Sequence, residues 1–314
     1  MQRGMGLDIS ELEAMALRCR RNIVKMVYNA GAGHPGGSLS AIDMLVGLYG
    51  HRLRVDTASP KSADRDRFIM SKGHASPGVY AVLHERGFLT DSDLTTFRKL
   101  GGPCQGHVDM KWCPGVDFSA GSLGMGLSFG IGCGIAAKLD ASERTAWVML
   151  GDGELQEGQV WEGVMAAVHH EIGNVKVIVD RNGIQNDDFC EAQMRMFDVS
   201  EKFASFGWAV MEIDGHNMEE VVNAIDWADN VSDGPACIVM HTVKGKGVSF
   251  MENNPKFHGA APSEDQFQLA LDNIRDQKWQ DAKNSFEEFI TKNPDNQLSG
   301  SAHYWLGELY ILEK

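Results

Sequence analysis

The feature that most constrains this chain is an order of segments near its middle. The apolar run Trp147 to Leu150 leads into Gly151-Asp152-Gly153-Glu154. Apolar positions at helical spacing follow (Val160, Trp161, Val164, Met165, Val168), and a second apolar run, Val175 to Val179, ends in Asp180-Arg181-Asn182-Gly183. Strand, helix and strand in that order predict a parallel βαβ unit, with the helix at about Glu157 to His170 as the crossover that covers one sheet face. Both strands then end on the same edge, where open α/β sheets bind ligands. The expected fold class is α/β, a doubly wound and mostly parallel sheet, with a short helical appendage at the C-terminus. The opening segment Ile9 to Tyr28 carries Leu12, Met15, Ala16, Cys19, Ile23, Met26 and Val27 at helical spacing. It is expected to be a core-facing scaffold helix that leads into a loop from Gly31 to Ser38.

Asp152 and Asn182 follow the two strand ends. If the strands are neighbours or next-but-one, the side-chain oxygens lie roughly 5–10 Å apart, within reach of one hard cation. Mg²⁺ commonly takes few protein carboxylates and completes its shell with phosphate oxygens, so a diphosphate cofactor is implied. Gly151 and Gly153 allow close backbone approach, and the N-terminus of the following helix offers amide donors and partial positive charge to an anion. Gly-Asp-Gly alone is also an ordinary turn. The Asn that follows an intact helix and strand gives the pattern its weight.

Gly-Asp-Gly, about thirty residues and then Asn resembles the thiamine-diphosphate motif of transketolases, pyruvate-dehydrogenase-type enzymes, decarboxylases and deoxyxylulose-phosphate synthase. Further segments, Gly33-His34-Pro35-Gly36-Gly37-Ser38, Asp66-Arg67-Phe68-Ile69-Met70-Ser71-Lys72-Gly73-His74, Gly106-His107 and Phe257-His258-Gly259, each set a histidine beside glycine, in what reads as a loop. Histidine suits sugar chemistry because one ring nitrogen can donate while the other accepts. Together these segments are similar to transketolase over about residues 10–270. The resemblance implies that Asp152, Asn182 and the carbonyl of Ile184 hold Mg²⁺, with Ca²⁺ or Mn²⁺ as substitutes. It implies that His74, Gly121, Leu123, Gly153, Glu157, Asn182, Lys244 and His258 bind the cofactor, and that His34, His107, His258 and His74 are catalytic, orienting sugar oxygens and shuttling protons. Glu157 matches a family position facing the partner domain, and also reads as an acidic first-turn residue that stabilises its helix. Lys244 matches a family lysine near the active site, whereas Lys246 is equally well a solvated charge. The implied reaction moves a two-carbon ketol unit from a ketose phosphate to an aldose phosphate, with the thiazolium as electron sink. A full-length transketolase continues through pyrimidine-binding and C-terminal domains, so an α2β2 assembly with a separate C-terminal subunit is expected. The alternatives are a deoxyxylulose-phosphate synthase, an E1 α subunit, or a non-catalytic scaffold that would have lost its metal ligands.

A formal charge of -14, from 29 Lys plus Arg against 43 Asp plus Glu, disfavours a nucleic-acid partner. The scattered cysteines Cys19, Cys104, Cys113, Cys133, Cys190 and Cys237, with no leader-like N-terminus, predict a reducing, cytoplasmic setting. Phe118 to Ala137 carries no charge and spaces Gly126, Gly130 and Gly134 at small-xxx-small intervals. Its glycine content predicts a buried helix whose bare face admits another backbone, not a membrane span. Two units are expected, a diphosphate-binding domain over 1–265 and a helical tail over 266–314. The tail resembles a tetratricopeptide repeat of Tol-Pal assembly proteins through Ala282, Phe286, Pro294 and the stretch 302–310. It reads as a junction without a dedicated function or, second, as a small interaction module.

Overall fold

A computed structural model describes residues 3–292 together with His303 and Leu306, the side chains of 276–286 and 289 excepted. The helices are α1 (Ile9–Ala30), α2 (Pro35–Gly47), α3 (Ser76–Glu85), α4 (Asp91–Leu94), α5 (Met125–Leu139), α6 (Gly158–His169), α7 (Cys190–Gln193), α8 (Val199–Ser205), α9 (Met218–Asn230) and α10 (Glu264–Lys292). The strands are β1 (Arg67–Met70), β2 (Ala146–Gly151), β3 (Val175–Arg181), β4 (Ile184–Gln185), β5 (Asp188–Phe189), β6 (Ala209–Asp214) and β7 (Ala236–His241). β1, β2, β3, β7 and β6 lie side by side in that order, and every neighbouring pair is parallel. β4 and β5 form a small antiparallel ribbon beside this sheet.

Strands covered on both faces need apolar side chains on both, and β2 and β3 supply them. Trp147, Met149 and Ile178 face a layer that includes α1, α2, α3 and α9, whereas Val148, Leu150, Val177 and Val179 face α5, α6 and α8. The doubly wound parallel sheet read from the sequence is therefore the observed one. The chain progresses from β1 to β3, then passes to β6 at the far edge and returns to β7. That reversal opens a crevice at the C-terminal ends of the central strands.

α1 begins at a reciprocal cap in which the Asp8 carboxylate accepts the Glu11 N–H and the Glu11 carboxylate accepts the Asp8 N–H. It ends at Gly31, whose φ of 64° is left-handed. All seven apolar positions that the spacing assigned to the core are buried. The expected loop from Gly31 to Ser38 is shorter in the structure. α2 starts at Pro35, because proline suits the first helical turn, where its missing N–H costs nothing.

Within the uncharged stretch 118–137 only the part from Met125 is helical, residues 118–124 forming a loop and turn, and in that helix the glycines pack as their spacing predicts. Ideal Cβ atoms at Gly126 and Gly130 would lie 2.5 Å from the Ser71 Cβ and 2.3 Å from the Val148 Cγ2, so the bare stripe of α5 lies directly on the sheet. No described helix is long and apolar enough to cross a membrane. At its start α10 packs on α1 through Tyr28 stacked on Phe267 at 4.1 Å, with Ala270 and Ile274 buried. Ala282 and Phe286 fall among the side chains that are not described. Pro294 and, apart from the helical His303 and Leu306, the stretch 302–310 lie outside the described residues.

Candidate active site

One cavity of about 440 Å³ opens at the C-terminal ends of β1, β2, β3 and β7, and every site residue expected from the sequence lines it: His34, His74, His107, His258, Gly121, Leu123, Asp152, Gly153, Glu157, Asn182, Ile184 and Lys244. β1 delivers Lys72 and His74, β2 delivers Asp152 and Gly153, β3 delivers Asn182 and Ile184, and the turn after β7 delivers Lys244. The pairing of β2 with β3 matches Gly151 to Asp180, so the carboxylate and the amide sit on adjacent strand ends.

The floor is built from oxygen. Asp152 accepts the N–H of Gly183 at 2.6 Å and of Gly153 at 2.8 Å, and the Asn182 Oδ1 accepts the N–H of Ile184 at 3.2 Å. Burial and then the neighbouring Asp180 hold the Asp152 carboxyl above its ordinary range. An ionised carboxylate there gains from a cation. The Ile184 carbonyl already accepts the Lys244 ammonium at 2.8 Å, and the same ammonium lies 2.9 Å from the His258 Nδ1. Burial brings Lys244 down to about 8.

The other side of the cavity is a histidine cluster. The His34 ring lies 5.2 Å from His74, 5.8 Å from His107 and 5.4 Å from His258, and His74 lies 5.1 Å from His258. Burial pushes His34 down to about 4 and His258 to about 3, and lowers His74 and His107 as well. The cluster is uncharged at neutral pH. Only His107 sits in an open loop; His34 precedes the first turn of α2, and His74 and His258 lie in 3₁₀ turns.

Two supporting carboxylates escaped the sequence reading. Asp180, fully buried, accepts from the Lys72 ammonium, the Ser40 hydroxyl at 2.6 Å, the Thr242 hydroxyl and the Asn182 amide at 3.2 Å. Burial alone would raise its pKa, and the Lys72 ammonium reverses that and holds it low. Glu154 accepts from the Ser71 hydroxyl, from the Gly124 N–H at 2.8 Å and from the Gly151 N–H at 3.0 Å, tying three cavity-lining loops together. Burial holds its carboxyl above the ordinary range. The signal available for the first was Lys72 itself, an ammonium set between an apolar strand and Gly73, which needs a counter-charge once buried.

Helix α6 starts at Gly158, beside the expected Glu157. A 3₁₀ turn over Gly153–Gln156 lies between β2 and that start, so that turn, not α6, carries Gly153 and Gln156 to the cavity. Gly153 is required by its neighbour, since a Cβ there would lie 2.6 Å from the Gln185 Cβ.

The residues present fit a metal-bound diphosphate. The donors at the floor are all oxygens, as a hard cation prefers. His34 Nδ1 is buried without a hydrogen-bond partner among the described residues, and a Cβ at Gly121 would meet nothing within 4 Å, leaving the wall open.

Residues 12–293 match the family model described as the transketolase thiamine diphosphate binding domain. One of the subunits of the apulose-4-phosphate transketolase of Phocaeicola vulgatus is 36% identical over 265 residues, covering 84% of this chain and 94% of that protein. The 6-deoxy-6-sulfo-D-fructose transketolase subunit SqwG of a Clostridium species is 34% identical, covering 83% of this chain and 95% of that protein. Human transketolase is 34% identical over 80% of this chain, which spans 40% of that protein's length. The transketolase structure from Campylobacter jejuni superposes with a TM-score of 0.80 at 32% identity, over 85% of this chain and 43% of that one. With the cavity, the strand ends and the matched segment coinciding, the chain belongs to the transketolase family and carries its thiamine-diphosphate-binding domain.

Proposed function

We propose that this chain is the thiamine-diphosphate- and Mg²⁺-binding subunit of a two-subunit transketolase that moves a two-carbon ketol unit from a ketose or ketose phosphate to an aldose or aldose phosphate. The observation that carries the proposal is the single cavity in which an all-oxygen floor faces a cluster of uncharged imidazoles. Asp152, Asn182 and the Ile184 carbonyl would hold the metal, with Lys244 beside them as a further cation for the diphosphate. His74, Gly121, Leu123, Gly153, Glu157 and His258 would line the rest of the cofactor. When bound, thiamine diphosphate supplies a nucleophilic carbon and then an electron sink. His34, central to the cluster and lining the cavity, would exchange a proton with a sugar hydroxyl. His107, His258 and His74 would orient the remaining oxygens, each neutral ring donating at one nitrogen and accepting at the other.

A separate partner is supported by coverage: the relatives named as subunits match nearly end to end, at 94% and 95% of their lengths. Exposed apolar side chains also support it. Met125 and Leu139 on α5, Met165 on α6, and Phe189, Met194 and Phe197 beside the cavity are all more than 40% exposed, as a surface awaiting a protein partner would be. We place these in an α2β2 assembly. The relatives' names make a specialised donor, an apulose phosphate or a sulfofructose, as reasonable as a pentose phosphate. Six free cysteines support a cytoplasmic setting.

The test is an assay of ketol transfer across those donors after co-expression with a C-terminal transketolase subunit. Activity should need both subunits, and Asp152→Ala should abolish it. Ketol transfer by this chain alone would refute the split enzyme. A well-formed pair that binds cofactor but transfers nothing from any donor would refute the reaction.

A further inference from the structure

Outside the cavity, four segments meet at a buried polar knot behind the turn that follows β7. The Asp43 carboxylate on α2 accepts both guanidinium nitrogens of Arg20 on α1, at 2.9 and 2.6 Å. It also bonds Nδ1 of His216, in the turn after β6, at 2.8 Å. The other ring nitrogen, Nε2, lies 2.9 Å from the main-chain nitrogen of Val243. A main-chain N–H only donates, so Nε2 accepts and the proton resides on Nδ1, where Asp43 receives it. The ring is thereby fixed in one tautomer and one orientation, with its side chain 11% exposed.

Val243 stands between two groups of the cavity floor. Before it, the Thr242 hydroxyl donates to Asp180, which in turn accepts from the Asn182 amide. After it, the Lys244 ammonium lies on the Ile184 carbonyl and against His258. The main chain of the segment is also held by Thr242 N–H to the Arg181 carbonyl at 3.2 Å, Gly245 N–H to the Gly36 carbonyl at 3.1 Å and Asn253 N–H to the Lys244 carbonyl at 2.9 Å. Further along, Arg20 Nε donates to the Lys246 carbonyl at 3.4 Å, and Glu252 accepts the Gly247 N–H at 2.9 Å. His216 supplies the side-chain bond made to the main chain between Thr242 and Gly245.

We infer that His216 is a positioning residue: fixed by Asp43, it holds the Val243 amide and so places the Thr242 hydroxyl and the Lys244 ammonium at the diphosphate end of the cavity. The inference rests on the reading of that cavity as the cofactor site. It gives the Arg20–Asp43 pair a task as well. α2 follows directly on His34, its cap, and carries Ser40 and Asp43 on successive turns, so one helix anchors both the histidine cluster and the β7 turn.

Two partial replacements of the imidazole separate positioning from plain stability. His216→Gln places an amide oxygen near the Nε2 position, keeping the acceptor for Val243 and giving up Asp43. His216→Asn keeps a donor near Nδ1 for Asp43 and gives up Val243. Each loses one of two bonds, so their melting temperatures should fall alike. In the full chain, hydrogen exchange of a peptide covering 242–247 should quicken in His216→Asn and stay close to wild type in His216→Gln. With Mg²⁺ present, the Kd for thiamine diphosphate should rise about five- to tenfold in His216→Asn, the worth of one hydrogen bond, and about twofold or less in His216→Gln. A cavity of about 420 Å³ lined by Arg20, Asp43 and His216 lets added imidazole restore His216→Gly. Equal loss of affinity in the Asn and Gln variants, or unchanged exchange at 242–247 in His216→Asn, overturns the inference. If the wild-type chain reconstituted with its partner subunit, on which these Kd values are measured, binds no thiamine diphosphate, the cofactor reading of the cavity fails, and the exchange measurement still decides the role of His216.

Discussion

Replacing Asp180 by Asn removes one charge from a fully buried ion pair and changes little else. Asp180 is 0% exposed and Lys72 is 3% exposed. Without the carboxylate, Lys72 keeps only the Gly37 carbonyl at 3.0 Å. A buried charge left without its partner costs about 3–5 kcal/mol. Against a total stability of about 5–15 kcal/mol that is a large fraction. Urea unfolding at pH 7, with an m-value of about 3 kcal/mol per M, should show the midpoint of Asp180→Asn lowered by about 1–1.7 M. Lys72→Met combined with Asp180→Asn should recover more than half of that loss, because it leaves no orphaned charge and keeps an acceptor among Ser40, Thr242 and Asn182. The pH dependence has a definite sign. The folded-state carboxyl is held below its ordinary value, so its contribution is fully present above the ordinary carboxylate pKa. It is lost as pH falls through the depressed one. A loss under about 1 kcal/mol in Asp180→Asn would refute the reasoning, since it would mean that Lys72 is not held in a low-dielectric interior.

Other expectations follow from the same geometry. Gly130→Ala puts a Cβ 2.3 Å from the Val148 Cγ2 and should cost about 1–3 kcal/mol in denaturant unfolding. Gly132→Ala on the open side of the same helix meets nothing within 4 Å and should stabilise by about 0.5–1 kcal/mol. Burial holds His34 near 4 and His258 near 3, so the unfolded chain binds more protons between those values and about 6.5. Stability should therefore rise with pH through that window and level off above it, and His34→Asn should flatten the slope seen by thermal melts at successive pH values. Glu154→Ala leaves the Gly124 and Gly151 amides without their acceptor. It should lower the stability by about 2–6 kcal/mol in denaturant unfolding, as two buried donors at about 1–3 kcal/mol each imply.

Local patterns made much of this legible. The β2–α6–β3 unit declared itself because apolar runs and helical spacing alternate within one short segment. The site residues were legible because glycine sits beside each histidine and beside Asp152, wherever backbone must come close. The roles of Asp180 and Glu154 were not. Asp180 gathers Ser40, Lys72, Asn182 and Thr242, residues scattered over most of the chain that meet only when β1, β3 and β7 end on one edge. Glu154 stands two residues after Asp152, and nothing in its local sequence shows that it binds Ser71 and Gly124. The network of Asp43, His216 and Val243 has the same character, since no spacing within one element reveals a bond between three. The α2 start at Pro35, by contrast, was available from proline's preference for a first helical turn.

The central claim is that Asp152, Asn182 and the Ile184 carbonyl bind a diphosphate through a divalent cation. Isothermal titration of thiamine diphosphate into the chain reconstituted with its partner subunit tests it most directly, with Mg²⁺, with chelator, and with Asp152→Ala. The account predicts binding that requires Mg²⁺ and that Asp152→Ala abolishes in a protein that still folds and assembles with its partner. Equally tight binding in chelator, or unchanged affinity in Asp152→Ala, would contradict it.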